Sequence, residues 1–306
     1  MLFQSILVTL FEWYVHSSEG EKKLKMILSF NRKDRLQRLQ ILTNAMYPLI
    51  LLLGLTISLC TSEQTRVRQR ETYYLLSSKN IINKVFAYNG NIVWSVIFLF
   101  ISVTQTWLRS FHAELLPLTK SPKARSTTPR MGNGSKRAGL IREYCIKWML
   151  KLFLLFVCFL LIDSIFVLTG GKCVSKNDIK TQIIQLFPSA EQCRESQGKW
   201  VGGFDISGHF CFLTNISLIL WAELFQFWHI VQVRGLSYAV NPWVNVGVYA
   251  SVGVLLVWCW LLLVTSIYYH TAAEKILGCL LGYVCPLVMY KLIPESNVLS
   301  HHLYSK

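Results

Sequence analysis

Charge is scarce in this chain. Of its 306 residues only 15% are Asp, Glu, Lys or Arg, and acidic residues are the rarer sign, 16 against 31 basic. Soluble domains carry about 25% charged residues. With 53% hydrophobic residues beside so little charge, a mainly water-facing surface is excluded and the bilayer is the expected solvent. Metal-ligand spacing is missing too. The nine cysteines are scattered, mostly inside apolar runs, with no C-x-x-C pair and no Cys/His array, so neither a metal site nor a cofactor is expected. No internal repeat is present. The net charge of +15 would elsewhere suggest nucleic acid, but the basic residues stand in blocks between long apolar runs rather than along one polar face. They point to orientation in a membrane, and no nucleic-acid partner is expected.

A span needs about 20 apolar residues to cross about 30 Å of hydrocarbon. Six stretches meet or approach this: Leu42 to Cys60, Gly90 to Leu108, Trp148 to Leu168, His209 to His229, Val244 to Tyr269 and Ile276 to Ile293. They predict an all-α integral membrane protein with six transmembrane helices. Residues 1–41 form an N-terminal segment, residues 42–293 the six-span domain, with a flexible basic loop at 109–147 and a second long loop at 169–208, and residues 294–306 a tail. Pro48 is read as lying near the start of the first helix, where its missing N–H would be unpaired anyway. The last two spans are separated only by His270 to Lys275 and make a tight helical hairpin.

Basic residues in short loops favour the cytoplasm. The leading segment holds Lys22, Lys23, Lys25, Arg32, Lys33, Arg35 and Arg38, and the loop after the second span holds Arg109, Lys120, Lys123, Arg125, Arg130, Lys136, Arg137 and Arg142. Both termini are then cytosolic, while Thr61 to Asn89, Thr169 to Gly208 and the His270 turn are lumenal. Arg66, Arg68, Arg70, Lys172, Lys176, Lys180, Arg194 and Lys199 fall in those lumenal loops, so the bias is moderate. Cys173 and Cys193 bracket a loop in an oxidising compartment and are either a disulfide that fixes the approach to His209 or two free thiols. Asn133-Gly134-Ser135 and Asn215-Ile216-Ser217 match the glycosylation acceptor, but one is cytosolic and the other within a span, so neither is expected to carry sugar. Ser121 to Ala138 reads as a flexible cytosolic linker. Met1 to Tyr14 is apolar but short and carries Glu12; it is an interfacial helix, or translation begins at Met26.

This topology sorts the seven histidines. His16, His112, His301 and His302 fall in cytosolic segments, and only His209 and His270 reach the lumenal face. His229 lies 20 residues beyond His209 on one helix, about 30 Å away at 1.5 Å per residue, and cannot share its site. Before the fourth span, Gly202-Gly203-Phe204-Asp205-Ile206-Ser207-Gly208-His209 places glycines and a serine at a helix N-terminus, which suits anion binding. Ser207 either caps the helix or donates to a phosphate oxygen. At the other site, Tyr268-Tyr269-His270-Thr271-Ala272-Ala273-Glu274-Lys275 puts Glu274 four residues after His270, on the same face if the helix continues through the turn. A carboxylate there would hold the imidazole tautomer that leaves the other nitrogen free to attack. Lys199 and Lys275 are candidate phosphate counter-charges or simply solvated lysines.

The blocks GGFDISGHFCFLT and YYHTAAEKILGCLLGY together resemble the fat-storage-inducing transmembrane (FIT) family, particularly its shorter fungal members, from about Leu42 to Leu303. The resemblance implies an endoplasmic reticulum protein with a helical bundle like that of the lipid phosphate phosphatases. It implies His209, with Ser207 and Gly208 in the S-G-H motif, as the general acid, and His270 as the nucleophile that forms a phosphohistidine. The implied reaction is an acyl-coenzyme A diphosphatase, cleaving a fatty acyl-CoA into acyl 4′-phosphopantetheine and adenosine 3′,5′-bisphosphate, in support of lipid homeostasis, phospholipid biosynthesis and lipid droplet biogenesis. Glu274 stands where those phosphatases carry an Asp after the nucleophile, and Asp205 either orients His209 or caps the helix. No lysine-arginine first motif is evident, and Thr265 to Tyr269 lacks the usual arginine, so phosphate charge needs other partners. Two alternatives stay open: a phosphatidate or lysophosphatidate phosphatase using the same residues, and a non-catalytic protein that binds diacylglycerol or triacylglycerol. A transporter is disfavoured, because Asp163 and Glu223 form no evident midplane relay.

Overall fold

The computed structural model describes residues 21–77, 80–111, 133–174, 189, 192–193, 198–233 and 242–304, with all their side chains except those of residues 21–35, 110–111, 133–136, 199–200 and 302. Met1 to Tyr14, His16, His112, residues 121–132 and the side chain of Lys199 therefore lie outside the described residues. In chain order come α1 (Glu21–Cys60), α2 (Glu63–Thr72), a short 3₁₀ turn at Tyr74–Leu76, α3 (Ile81–Asn83), a π turn at Lys84–Tyr88, α4 (Gly90–Phe111) and α5 (Asn133–Leu168). A two-stranded antiparallel ribbon, β1 (Lys172–Val174) with β2 (Lys199–Val201), sets Cys173 opposite Trp200. Then follow α6 (Gly208–Val233), α7 (Pro242–Tyr268), α8 (Ala272–Gly282), α9 (Val284–Leu287), a second π turn at Val288–Leu292, α10 (Ile293–Glu295) and α11 (Asn297–Leu303).

Six helical stretches are long and apolar enough to cross a membrane, and the chain is a multi-pass membrane protein. Two of the helices run well past the apolar stretches that announce them. α5 begins at Asn133, so the part of the expected flexible loop from 133 to 147 is helix instead. The reason lies on its inner face: Tyr144, Lys147 and Lys151, at helical spacing, are all buried against neighbouring helices. An apolar count measures the hydrocarbon crossed, whereas the helix continues as long as its inner face finds partners. α1 likewise starts at Glu21, which places Pro48 deep inside the helix rather than near its start. The ring removes the hydrogen bond that the Asn44 carbonyl would otherwise accept. Tyr283 from the last span donates its hydroxyl to that carbonyl instead, so the freed acceptor is satisfied within the bundle.

α6 is the hub. Of its apolar window 72% is buried, against 22–44% for the other five spans, although its mean hydropathy, 1.5, is the lowest of the six. Thr214, Asn215, Ser217 and Glu223 are all fully buried on it. Lipid tails offer no hydrophobic gain for helix pairing, so polar and small residues direct association while the most apolar faces look outward. Leu52 and Leu53 on α1, Val96 and Leu99 on α4, and Phe153 and Phe156 on α5 are accordingly exposed. Interhelical hydrogen bonds reinforce the arrangement: Ser266 Oγ donates to the Leu51 carbonyl (3.0 Å) and Trp258 Nε1 to that of Phe86 (2.8 Å). A side chain at Gly278 would overlap the Ser207 carbonyl, so this glycine brings α8 against the lead-in to α6. That contact positions the site.

Candidate active site

His209 and His270 arrive from different elements and line one cavity of about 280 Å³. His209 is the second residue of α6, whose start is fixed by Ser207: its Oγ accepts from the Phe210 N–H (3.4 Å) and its carbonyl from the Cys211 N–H (3.1 Å). Of the two readings left open for Ser207, capping is the one observed; the side chain is fully buried and does not line the cavity. Upstream, Thr169 Oγ1 accepts from the Phe204 N–H (2.7 Å), which ties the lead-in to the end of α5. Cys173 and Cys193 do form a disulfide (Cα–Cα 5.7 Å), closing the loop that precedes β2.

His270 sits in the break between α7 and α8 with φ of +57°. A left-handed backbone is uncommon for a residue with a Cβ and costs roughly 1–3 kcal/mol, and such strain clusters at functional sites. The helix therefore does not continue through the turn, as the expected pairing of His270 with Glu274 supposed. Glu274 comes close by another route. It is the N3 residue of a capping box in which Thr271 Oγ1 accepts from the Glu274 N–H (3.5 Å) and Glu274 Oε2 accepts from the Thr271 N–H (2.7 Å). The same carboxylate then reaches across, its Oε1 accepting from the Asp205 N–H (3.0 Å), while its carbonyl accepts from the Ser207 N–H (3.1 Å). Glu274 thus joins the His270 turn to the His209 lead-in.

His270 Nδ1 faces two carboxylates, Asp205 Oδ2 at 3.6 Å and Glu274 Oε2 at 3.8 Å. Both are long for hydrogen bonds, so their influence is chiefly electrostatic. Asp205 is the better placed to respond, because the Glu274 oxygens are already engaged by backbone N–H groups. It faces the His270 side of the cavity and is no cap for α6. Burial raises the Asp205 pKa above the ordinary aspartate value, the positive potential of His270 opposes the rise, and the Glu274 charge adds to it. Across the cavity, His209 Nε2 lies 3.3 Å from Asn83 Oδ1, and Tyr88 meets the His209 ring edge-on with centroids 5.7 Å apart.

Asn83 and Tyr88, which belong to neither sequence motif, line the cavity together with Tyr269, the neighbour of His270 in the turn. Asn83 is held by an Asn80 cap, Oδ1 accepting from the Asn83 N–H (2.5 Å), and Tyr88 closes the π turn that follows. A signal existed: two asparagines three residues apart, spaced like a cap, stand just ahead of a span. Lys275, by contrast, does not reach the cavity. It is 1% exposed and its Nζ donates to the Ser266 carbonyl (2.6 Å), which makes it a tie between α8 and the end of α7 rather than a counter-charge at the histidines. His229 is exposed near the far end of α6.

Residues 71–290 match the sequence profile described as "FIT: Fat storage-inducing transmembrane protein". An acyl-coenzyme A diphosphatase of Saccharomyces cerevisiae is 40% identical over 267 residues, covering 84% of this chain and 94% of that protein. A second, from Schizosaccharomyces pombe, is 34% identical over 130 residues, covering 42% of this chain and 47% of the relative, and one from Sus scrofa is 32% identical over 94 residues, covering 31% and 35%. No solved structure matches. The profile spans all but the first of the membrane helices and includes every residue that lines the cavity, and the yeast match carries the likeness over nearly the whole chain; this chain belongs to the fat storage-inducing transmembrane family.

Proposed function

We propose that this protein is an acyl-coenzyme A diphosphatase, hydrolysing the phosphoanhydride of a fatty acyl-CoA to acyl 4′-phosphopantetheine and adenosine 3′,5′-bisphosphate. The observation that carries the reading is the convergence of His209 and His270, 61 residues apart in sequence, on one cavity at the end of a membrane bundle. The printed activity of relatives as similar as 40% over most of the chain supplies the substrate class. With Nδ1 turned toward Asp205 and Glu274, His270 keeps Nε2 for attack on phosphorus. The P–N bond forms as the bond to the leaving phosphate oxygen breaks, and His209 gives that oxygen its proton. Neutral His209 then takes a proton from a water that attacks the phosphohistidine, which restores both side chains. The acyl chain stays among the spans while the nucleotide projects from the cavity.

In this reading the site faces the lumen of the endoplasmic reticulum and both termini are cytosolic. The excess of Lys and Arg in the first half of α1, ahead of its apolar stretch, and after α4 supports this orientation, as does the Cys173–Cys193 disulfide at the histidine end, since disulfides persist in oxidising compartments. Incubation of the purified protein with oleoyl-CoA is expected to yield equimolar acyl 4′-phosphopantetheine and adenosine 3′,5′-bisphosphate, identified by mass. Release of inorganic phosphate from phosphatidate, with oleoyl-CoA left intact, would replace this reading by a lipid phosphate phosphatase.

A further inference from the structure

The cavity that holds the two histidines is poor in positive charge. Among the described residues lining it there is no lysine or arginine, yet Asp205 is in its wall and Glu274 stands directly behind. An acyl-CoA brings a pyrophosphate and a separate 3′-phosphate on the ribose. The pyrophosphate, between the histidines, has imidazoles for partners. The 3′-phosphate lies one ribose away from the reacting bond and needs a cation outside the chamber.

α2 supplies one. Of its three arginines, Arg70 stands over the ring of Tyr269, 5.3 Å from the centroid, and Tyr269 is both a wall of the cavity and the neighbour of His270. Unlike the buried Lys275, Arg70 is only half-buried. No carboxylate among the described residues pairs with it. The helix under it is fixed rather than dangling. Tyr268 donates its hydroxyl to Gln69 Oε1 (3.0 Å), Arg66 donates to Ser58 Oγ (2.7 Å), and Tyr269 donates to the Leu76 carbonyl just beyond α2 (2.8 Å). These bonds set α2 along the end of α7, and the stacking on Tyr269 holds the guanidinium in one orientation with donors left for a ligand. Arginine is suited to a phosphate because its fork meets two oxygens at once.

Resting on the acyl-CoA reading, we infer that Arg70 binds the 3′-phosphate of the coenzyme A nucleotide at the rim of the cavity, with Tyr269 as the platform that aims it. The residue is a determinant of specificity for phosphorylated over dephosphorylated coenzyme A esters and takes no part in bond cleavage.

The test compares oleoyl-CoA with oleoyl-dephospho-CoA, which keeps the scissile anhydride and lacks only the 3′-phosphate. Wild type is expected to cleave both, preferring oleoyl-CoA through KM. Losing a charge-assisted hydrogen bond to phosphate in Arg70→Ala should raise KM for oleoyl-CoA about tenfold or more and leave that for the dephospho ester nearly unchanged. Arg70→Lys should recover part of the preference. Undiminished turnover of the dephospho ester by Arg70→Ala also reports that the variant is folded. Equal losses on both substrates, or no loss on either, would overturn the assignment while the diphosphatase reading stands. Failure of wild type to cleave either ester would remove that reading and the inference together.

Discussion

The two ends of α6 solve opposite problems with similar residues. Fourteen residues beyond His209, about 21 Å along the helix, Glu223 is fully buried in the bundle. Its carboxylate accepts from Lys147 Nζ (3.0 Å), Tyr290 OH (2.7 Å) and Gln105 Nε2 (3.1 Å), so three other elements close on this one group of α6. Lys147 also meets Glu143 at 3.1 Å and stacks near the rings of Tyr144, Tyr290 and Tyr304. Each oxygen is satisfied at short range. At the histidine end the carboxylates stand 3.6 and 3.8 Å from His270, Asp205 is nearly half exposed, and a left-handed residue interrupts the chain. A charge that must hold helices together is buried and saturated. A charge that must act on a substrate is left under-coordinated beside a cavity.

A π turn serves each end. At Val288–Leu292 it brings Tyr290 to Glu223, and at Lys84–Tyr88 it brings Tyr88 to His209. The wider turn re-aims a side chain that an unbroken α-helix would direct elsewhere, which is why such turns recur at functional positions.

The sharpest separation of the two ends comes from the histidines. His270→Ala is expected to lower turnover of oleoyl-CoA by at least about 10⁴-fold and His209→Ala by about 10²–10⁴-fold, with the thermal midpoint in detergent unchanged. Retained turnover in both variants would show that the cavity is not catalytic. Glu223→Ala should do the reverse. Leaving the Lys147 ammonium buried without its partner costs roughly 3–5 kcal/mol, read as a lower unfolding midpoint and a smaller folded yield, while turnover per folded molecule persists. A midpoint equal to wild type would deny the clasp its structural role.

Glu274 lies between these cases, because it both caps α8 and ties the two histidine-bearing segments. Glu274→Ala should destabilise by about 1 kcal/mol through the lost cap and also reduce kcat, whereas an exposed cap of the same strength would leave kcat alone. The smallest effect concerns pH. Burial raises the Asp205 pKa, so as pH falls Asp205 takes up its proton earlier than an exposed aspartate would, and the negative partner of His270 is lost. The acid limb of the kcat profile should therefore be less steep in Asp205→Asn than in wild type. An identical limb would mean that Asp205 does not reach His270 electrostatically.

The membrane class, the six crossings and the pair of histidines were legible because each depends on local composition: apolar length measures hydrocarbon thickness, and glycine and serine before a helix mark its start. Helix ends were less so. α5 extends beyond its apolar run on the strength of tertiary partners such as those of Tyr144 and Lys147, α1 also runs past its own, and Pro48 is tolerated mid-helix because a tyrosine more than 200 residues away meets the freed carbonyl.

The site divides along the same line. Chain order alone sets which residue types stand next to which: a histidine opening one span, a histidine and a glutamate in a turn, three arginines after the first span. It took the packing of the helices to bring Glu274 to His270 through a capping box and not along a helix, to make Lys275 a tie and not a counter-charge, and to set Asn83 against His209 and Arg70 over the ring of Tyr269. These pairings bridge loops far apart in the chain. Their distances are set by how closely α8 and α2 approach the ends of α6 and α7, which no local pattern encodes.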